Sequence, residues 1–303
     1  MAISRSQLVK ELEPGLNALF GLEYKRYENQ HAEIYSEESS DRAFEEEVML
    51  SGFANAQVKG EGSGVSFDEA QETFTARYTH ETVALAFAIT EEAIEDNLYD
   101  RLASRYTKAL ARSMSNAKQV KSVEPLINGL PTTDGFDSGD GVSLFNTSHP
   151  TVAGTFANTL ATQADLNETS LEQSLIDIGQ MSDERGLRIA ARGVKMIVPS
   201  ELQFTAERLM KSQGRTGTAD NDINSIVSMG MIPQGYRVNN YLTDSDAFYI
   251  ITDVPNGMKM FNRAPLTTAM EGDFDTGNVR YKARERYSFG VSDPRGIFGV
   301  EGV

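Results

Sequence analysis

Ser148 and His149 stand side by side ahead of Pro150 and are the first pair in this sequence to test as nucleophile and base. Adjacent residues rarely give a hydroxyl the geometry to pass its proton to an imidazole, so the pair argues poorly for hydrolysis. Two aspartate runs, Asp134-Gly-Phe-Asp137-Ser-Gly-Asp140-Gly141 and Asp273-Phe-Asp275-Thr-Gly277-Asn278, invite calcium. The twelve-residue calcium loop needs an acid at its last position, and counting from Asp273 that position is Arg284. Both runs read better as solvated turns. Gly60, Gly62 and Gly64 form a GxGxG run, but Val65-Ser66-Phe67 follows it. No helix N-terminus is there to hold a phosphate, so the run reads as a hairpin tip. His80 sits where strand alternation changes phase: Phe74, Ala76 and Tyr78 share one parity, and Val83, Leu85 and Phe87 the other. A bulge at His80 and a structural or surface role follow. The one dense basic stretch, Arg280-Tyr-Lys282-Ala-Arg284-Glu285-Arg286, alternates, which places Arg280, Lys282, Arg284 and Arg286 on one strand face. Nucleic acid is one partner for such a face; in so acidic a chain, a neighbouring acidic protein surface is the better one. These residues predict no catalytic group, no cofactor and no metal site. A metal-assisted hydrolase built on an Asp cluster and His149 is the enzymatic alternative.

The elements that must position these residues begin with a hairpin. One arm runs from about Val48 to Val58 and the other from about Val65 to Ile89, joined through the glycine run. At ~3.3 Å per residue the shorter arm spans ~36 Å, about the width of a small domain. A lone two-stranded hairpin is marginal in water, so this one is expected to find cover outside its own subunit. Thr90 then caps a long helix with no Gly or Pro from Glu91 to Glu124. Acids come first (Glu91, Glu92, Glu95, Asp96, Asp100), and from Arg101 to Lys121 there are only bases, as the macrodipole favours. Ile94, Leu98, Leu102, Tyr106, Leu110 and Met114 form an i, i+4 row. Such a row drifts ~40° per step, so the helix is expected to meet different partners along its length.

Residues 1–47 carry five bases and eleven acids. Leu8, Leu12, Leu16, Leu19 and Phe20 predict a short amphipathic helix interrupted at Pro14-Gly15, within an extended arm lying on another surface. Residues 125–165 are turn-rich. A helix near Glu168–Asp183, a strand at Val194–Val198, a helix opened by Pro199-Ser200-Glu201 and short strands at Tyr236–Asn239, Ala247–Thr252 and Met258–Phe261 follow. A charged strand at Asn278–Phe289 and a closing segment at Phe298–Val303 complete an α+β chain.

Composition narrows the classes. With 44 acids against 28 bases the net charge is −16, which argues against nucleic-acid binding, although an acidic lining would let enclosed DNA slide. There is no cysteine, hence no disulfide, thiol nucleophile or cysteine-ligated metal. The longest apolar run, Val83–Ile89, is far below the ~20 residues of a membrane helix. No membrane partner and synthesis in a cytoplasm are expected.

Three passages carry a resemblance: Leu144-Phe-Asn-Thr-Ser-His-Pro150; Met196-Ile-Val-Pro-Ser-Glu-Leu202 with Glu207-Arg-Leu-Met-Lys-Ser212; and Asp273-Phe-Asp275 through Tyr281-Lys-Ala-Arg-Glu-Arg-Tyr287 to Asp293-Pro-Arg-Gly296. In this order, behind a hairpin and a long helix, they resemble the tailed-phage major capsid proteins of the Hong Kong 97 fold, most of all the Mu-type head subunit. The likeness covers roughly residues 44 to 303. It implies an N-terminal arm (1–47), an extended β-hairpin loop (48–80), a peripheral domain (81–164, with a spine helix at about 90–122, completed by 263–303) and an axial domain (165–262). It also implies hexamers and pentamers closing an icosahedral shell around double-stranded DNA in a virion made in bacterial cytoplasm. A separate scaffolding protein, a portal at one vertex and a possible decoration protein are the implied partners. Inter-subunit contacts are expected at Lys59, Glu61, Phe67, Arg280, Lys282, Arg284 and Arg286. Some members weld subunits through Lys–Asn bonds aided by a Glu. Lys59, Asn278 and Glu285 are the right types, but no local motif matches, so non-covalent assembly is expected. An encapsulin-like compartment is the alternative within the fold.

Overall fold

A computed structural model describes residues 5–90, 92, 99–133, 135–214, 222–273 and 277–303, with side chains from residue 13 onward apart from 99–102. Two four-stranded sheets and one long helix organise it. Strands β1 (Ser36–Ser39), β4 (Glu81–Ile89), β10 (Met258–Gly272) and β11 (Val279–Val291) form the first sheet, in the order β1-β10-β11-β4. Strands β7 (Gly193–Val198), β8 (Tyr236–Val238), β9 (Phe248–Thr252) and β12 (Ile297–Val300) form the second, in the order β12-β9-β7-β8. A ribbon of β2 (Phe44–Leu50) with β3 (Glu72–Thr79) and a small hairpin of β5 (His149–Thr151) with β6 (Gly154–Phe156) stand apart from both.

The spine is α2 (Tyr99–Asn128); Thr90 is described, but residues 91 and 93–98, where its expected first turns fall, lie outside the described residues. It does not stop before Pro125 but runs through it to Asn128. An interior proline costs roughly 3 kcal/mol. Burial of Val123, Leu126 and Leu130 against Tyr35, Phe145 and Tyr249 offsets that cost. The helix meets different partners along its length, although of its apolar row only Leu110 and Met114 are seen buried: Tyr106 is 48% exposed, and the side chains of Ile94, Leu98 and Leu102 lie outside the described residues. Ala103, Leu110, Ala111 and Met114 face Tyr281 and Ala283 of β11, whereas Val123 and Leu126 join a different cluster.

Helix α1 (Arg5–Tyr24) corrects two expectations. It is continuous through Pro14, and it lies on its own subunit rather than on another surface. Leu16 and Phe20 pack with Leu110, Met114, Tyr281 and Ala283, and Asn17 Oδ1 accepts from Thr268 and Tyr281 hydroxyls at 2.7 and 2.8 Å. Two buried apolar side chains just after the proline supply what the missing N–H removes.

The second sheet is buried on both sides. Met196, Val198, Phe248, Ile250, Phe298 and Val300 pack against α3 (Glu168–Gln180), α4 (Gln203–Lys211) and α5 (Ser225–Met229), whereas Ile197, Tyr249 and Ile297 face the spine cluster. Helix α3 obeys its sequence: Asn167 and Ser170 form a reciprocal capping box, and Leu171, Leu175 and Ile178 are buried. Helix α4 begins at Gln203, a turn after Pro199. No described helix is long and apolar enough to cross a membrane.

Candidate assembly surface

The hairpin is shorter than expected and sits earlier in the chain. Pairing runs from Phe44↔Thr79 to Leu50↔Glu72, and residues 51–71 hold no paired strand. The second half of the expected long arm, β4, instead pairs with β11 in the first sheet. Gly52, at φ 64°, interrupts the ladder, and the glycines and polar residues beyond offer no face to pair.

His80 marks the exchange between ladders. It is no bulge, because β3 ends before it and β4 begins after it. Its ring is buried between the hydroxyls of Ser40 and Ser288, each 2.9 Å away, and burial lowers its pKa. The ribbon's root is fixed to the body. Tyr78 packs edge-on against Phe261 and bonds Ser292, and Lys259 pairs with Glu47 at 2.6 Å and Glu38 at 3.2 Å. Ser51 closes the root: its N–H donates to the Gln71 carbonyl at 2.9 Å and its Oγ accepts from Gln71 N at 3.0 Å. Arg185 donates to the Glu69 carbonyl and reaches Asp68 at 3.8 Å.

Beyond that root the loop is bare. Val58 is 99% exposed, Phe67 97%, Val65 68% and Phe53 61%. Lys59 and Glu61 are exposed beside a turn in which Ser63 N–H donates to the Gly60 carbonyl at 3.2 Å. Gly62, at φ 79°, occupies the third turn position, where a type II turn requires positive φ. Single exposed apolar side chains are ordinary; four on one protruding loop are the mark of an interaction surface. The site reading took Phe67 but omitted Phe53, Val58 and Val65, whose signal was their isolation among glycines and polar residues.

The β11 cations form the second surface. Arg280, Lys282 and Arg284 point outward, while Val279, Tyr281, Ala283 and Glu285 point into the body. Register places them beside Ala88, Ala86 and Ala84 of β4, with Glu271, Ala269 and Thr267 of β10 on the other side. The result is a row of cations on a floor of small side chains, with a groove of about 650 Å³ at the Arg280–Lys282 end. Arg280 is engaged by Asp273 and Arg286 leans to the Ala43 carbonyl at 3.5 Å. Lys282 and Arg284 meet no acid among the described residues. The structure gathers these four residues on one face but makes no contact between them and Lys59, Glu61 or Phe67 of the same chain.

The groups considered for chemistry are committed elsewhere. His149 is fully buried, with Nδ1 2.6 Å from Asp140 and Nε2 2.9 Å from Asn158 Oδ1, so it cannot serve the exposed Ser148 as a base. Burial alone would raise the Asp140 pKa, but hydrogen bonds from His149 and Ser138 outweigh it and hold the carboxyl below the usual range. Phe156 stacks on His149 and takes the Arg295 guanidinium over its ring at 4.1 Å. Asp137 caps its own turn through Gly139 N and Gly141 N; Asp134 of this run and residues 274–276 of the second lie outside the described residues. No group of three potential metal ligands occurs among the described residues. Glu285 lies beneath α1, 3.6 Å from Lys118 and 3.4 Å from the Tyr24 hydroxyl, and burial raises its pKa against the pull of Lys118. It is shut away from any approaching lysine.

A family profile described as "Phage capsid protein" matches residues 72–300. No curated protein sequence matches the chain. Among solved structures it is similar to the virus-like particle from Pyrococcus furiosus: 10% identity, 95% of this chain and 98% of that one, TM-score 0.55. It is also similar to the capsid of Myoviridae phage XM1 (11%, 89% and 89%, 0.53) and to a chain from Mycobacterium phage Ogopogo (13%, 91% and 92%, 0.51). At such identities these likenesses speak for the fold alone. The profile match over most of the chain makes it a structural subunit of a capsid shell. The chain belongs to the phage capsid protein family.

Proposed function

We propose that the chain is the major head subunit of a tailed phage, with the arm, extended loop, peripheral and axial divisions of the Hong Kong 97 fold and a closest kinship to the Mu-type subunit. Copies assemble as hexamers and pentamers into an icosahedral shell enclosing double-stranded DNA. A scaffolding protein acts during assembly in the bacterial cytoplasm, and a portal occupies one vertex. Loop 51–71 of one copy lies over its neighbour, with Phe67 seated on the small-residue floor and Lys59 and Glu61 at the tip. Lys282 and Arg284, with Arg280 and Arg286 beside them, meet acidic residues of the adjoining copy.

The near-complete exposure of Val58 and Phe67 carries this reading, because nothing among the described residues covers them. Negative-stain microscopy of the purified protein tests it. Closed particles many times the size of a 33.3 kDa chain are expected; a monodisperse monomer at all concentrations overturns it. The likeness to the Pyrococcus furiosus particle favours a second reading, an encapsulin-like compartment holding protein. The ultraviolet spectrum of purified particles separates the two by showing nucleic acid or protein cargo.

A further inference from the structure

The spine helix presents a second basic face, on the side of the first sheet away from the β11 row. At 100° per residue, Arg105, Lys108, Arg112 and Asn116 fall within an arc of about 80°. All four are exposed. The buried residues Ala103, Leu110, Ala111 and Met114 centre on the opposite side. Elsewhere on this helix, among the described side chains, the cations are taken: Lys118 by Glu285, and Lys121 by Glu81 and Glu124. Arg105, Lys108 and Arg112 meet no acid among the described residues, and no Asp or Glu occurs between Arg101 and Lys121.

The two basic faces differ in what accompanies the charge. Around Lys282 lie alanine methyls, suited to a protein segment. Beside Arg112, one turn on, lies the amide of Asn116, which donates to phosphate oxygens. Because Tyr281 and Ala283 of β11 face α2 while Lys282 and Arg284 point away, the two faces look out on opposite sides of the layer. One neighbour cannot occupy both.

We propose that the Arg105–Lys108–Arg112 face is a sequence-independent contact for the phosphate backbone of double-stranded DNA. The proposal rests on the shell reading and revises its acidic-lining expectation: each copy offers one small basic patch within an acidic whole. Three cations neutralise about three phosphates, so a single contact is weak and salt-sensitive. Many copies around one polymer add up by multivalency.

The test measures binding of the full-length protein to a random-sequence 40-base-pair DNA duplex by fluorescence anisotropy. Three contacts give a log–log salt slope of about −2.7, or about a 40-fold loss of affinity between 50 and 200 mM salt. The triple variant R105A/K108A/R112A should lose this binding, R105K/R112K should keep it, and the control R208A/K211A, which removes two exposed cations of α4, should be unaffected. Equal binding by the triple variant, no binding by the wild type at 50 mM salt, or loss only in R208A/K211A overturns the proposal. Tighter binding of polyglutamate than of DNA also overturns it, in favour of an acidic protein partner. Particle formation is scored separately by negative stain. Particles from the triple variant without DNA binding support the proposal, whereas absence of particles from the wild type strikes at the shell reading instead.

Discussion

Asn158 shows how a buried side chain can be read from its hydrogen bonds. Its Nδ2 donates to the carbonyls of Leu144 and Pro294, at 2.7 and 3.1 Å, which turns Oδ1 toward His149 and the Asn146 N–H. His149 thus has an acceptor at each ring nitrogen, with Asp140 on the other side. Replacing Asp140 with Asn removes a buried charge-assisted bond and should cost about 2–4 kcal/mol in urea unfolding. The pH dependence has a definite sign. The Asp140 pKa is depressed in the fold, so its contribution is complete above the ordinary aspartate value near ~3.9 and is lost as pH falls through the folded value. Urea midpoints measured from about pH 5 down to pH 2 should fall for the wild type, and D140N should lack that component. The sequence put His149 in a turn-rich loop, whereas the residue opens strand β5. It could not announce Asn158, because the partner arrives only when β5 and β6 fold His149 opposite Phe156.

Elements were legible where one face settles them, and obscure where tertiary burial overrides a local break. Helix α3, with its cap and three apolar residues, was plain. Strand β10 was expected to end at Phe261, yet continues to Gly272 with Pro265 inside it. The proline is tolerated because it falls at the register shift between Ala264 and Thr267, where the ladder is already irregular. Helix α1 is the parallel case, and its docking is testable. Phe20→Ala removes a ring that is 2% exposed and should cost about 3–5 kcal/mol in denaturant unfolding. An arm lying on another subunit would leave the monomer's stability unchanged. The ribbon's root offers a second test. A Cβ at Gly290 would stand 2.6 Å from the Tyr78 ring. Gly290→Ala should therefore cost about 1–3 kcal/mol and speed amide exchange across 44–50 and 72–79, with α3 unaffected.

For the whole molecule, the sequence located an exposed segment but overstated its order. The glycine spacing located the tip, and the alternation of Arg280 to Arg286 located the basic face. Which residues touch across copies depends on a second chain and cannot be read from one. Phe67→Asp separates stability from assembly: the side chain is 97% exposed, so subunit unfolding should shift by no more than about 0.5 kcal/mol. Particle yield by negative stain should nevertheless collapse. Full yield from that variant would remove Phe67 from the interface.

The second sheet, walled in on both faces, has a mechanical consequence. Met196 and Ile197 are neighbours in sequence, yet each belongs to a different core, so neither core can tilt without dragging the other. A tile this stiff cannot adapt by bending in its middle. Whatever accommodation a curved surface demands must come from a strap at the rim, and the strap's pivot is where Gly52 leaves the Ser51–Gln71 clasp. Stiffening that pivot should narrow the range of curvatures the tile can pave.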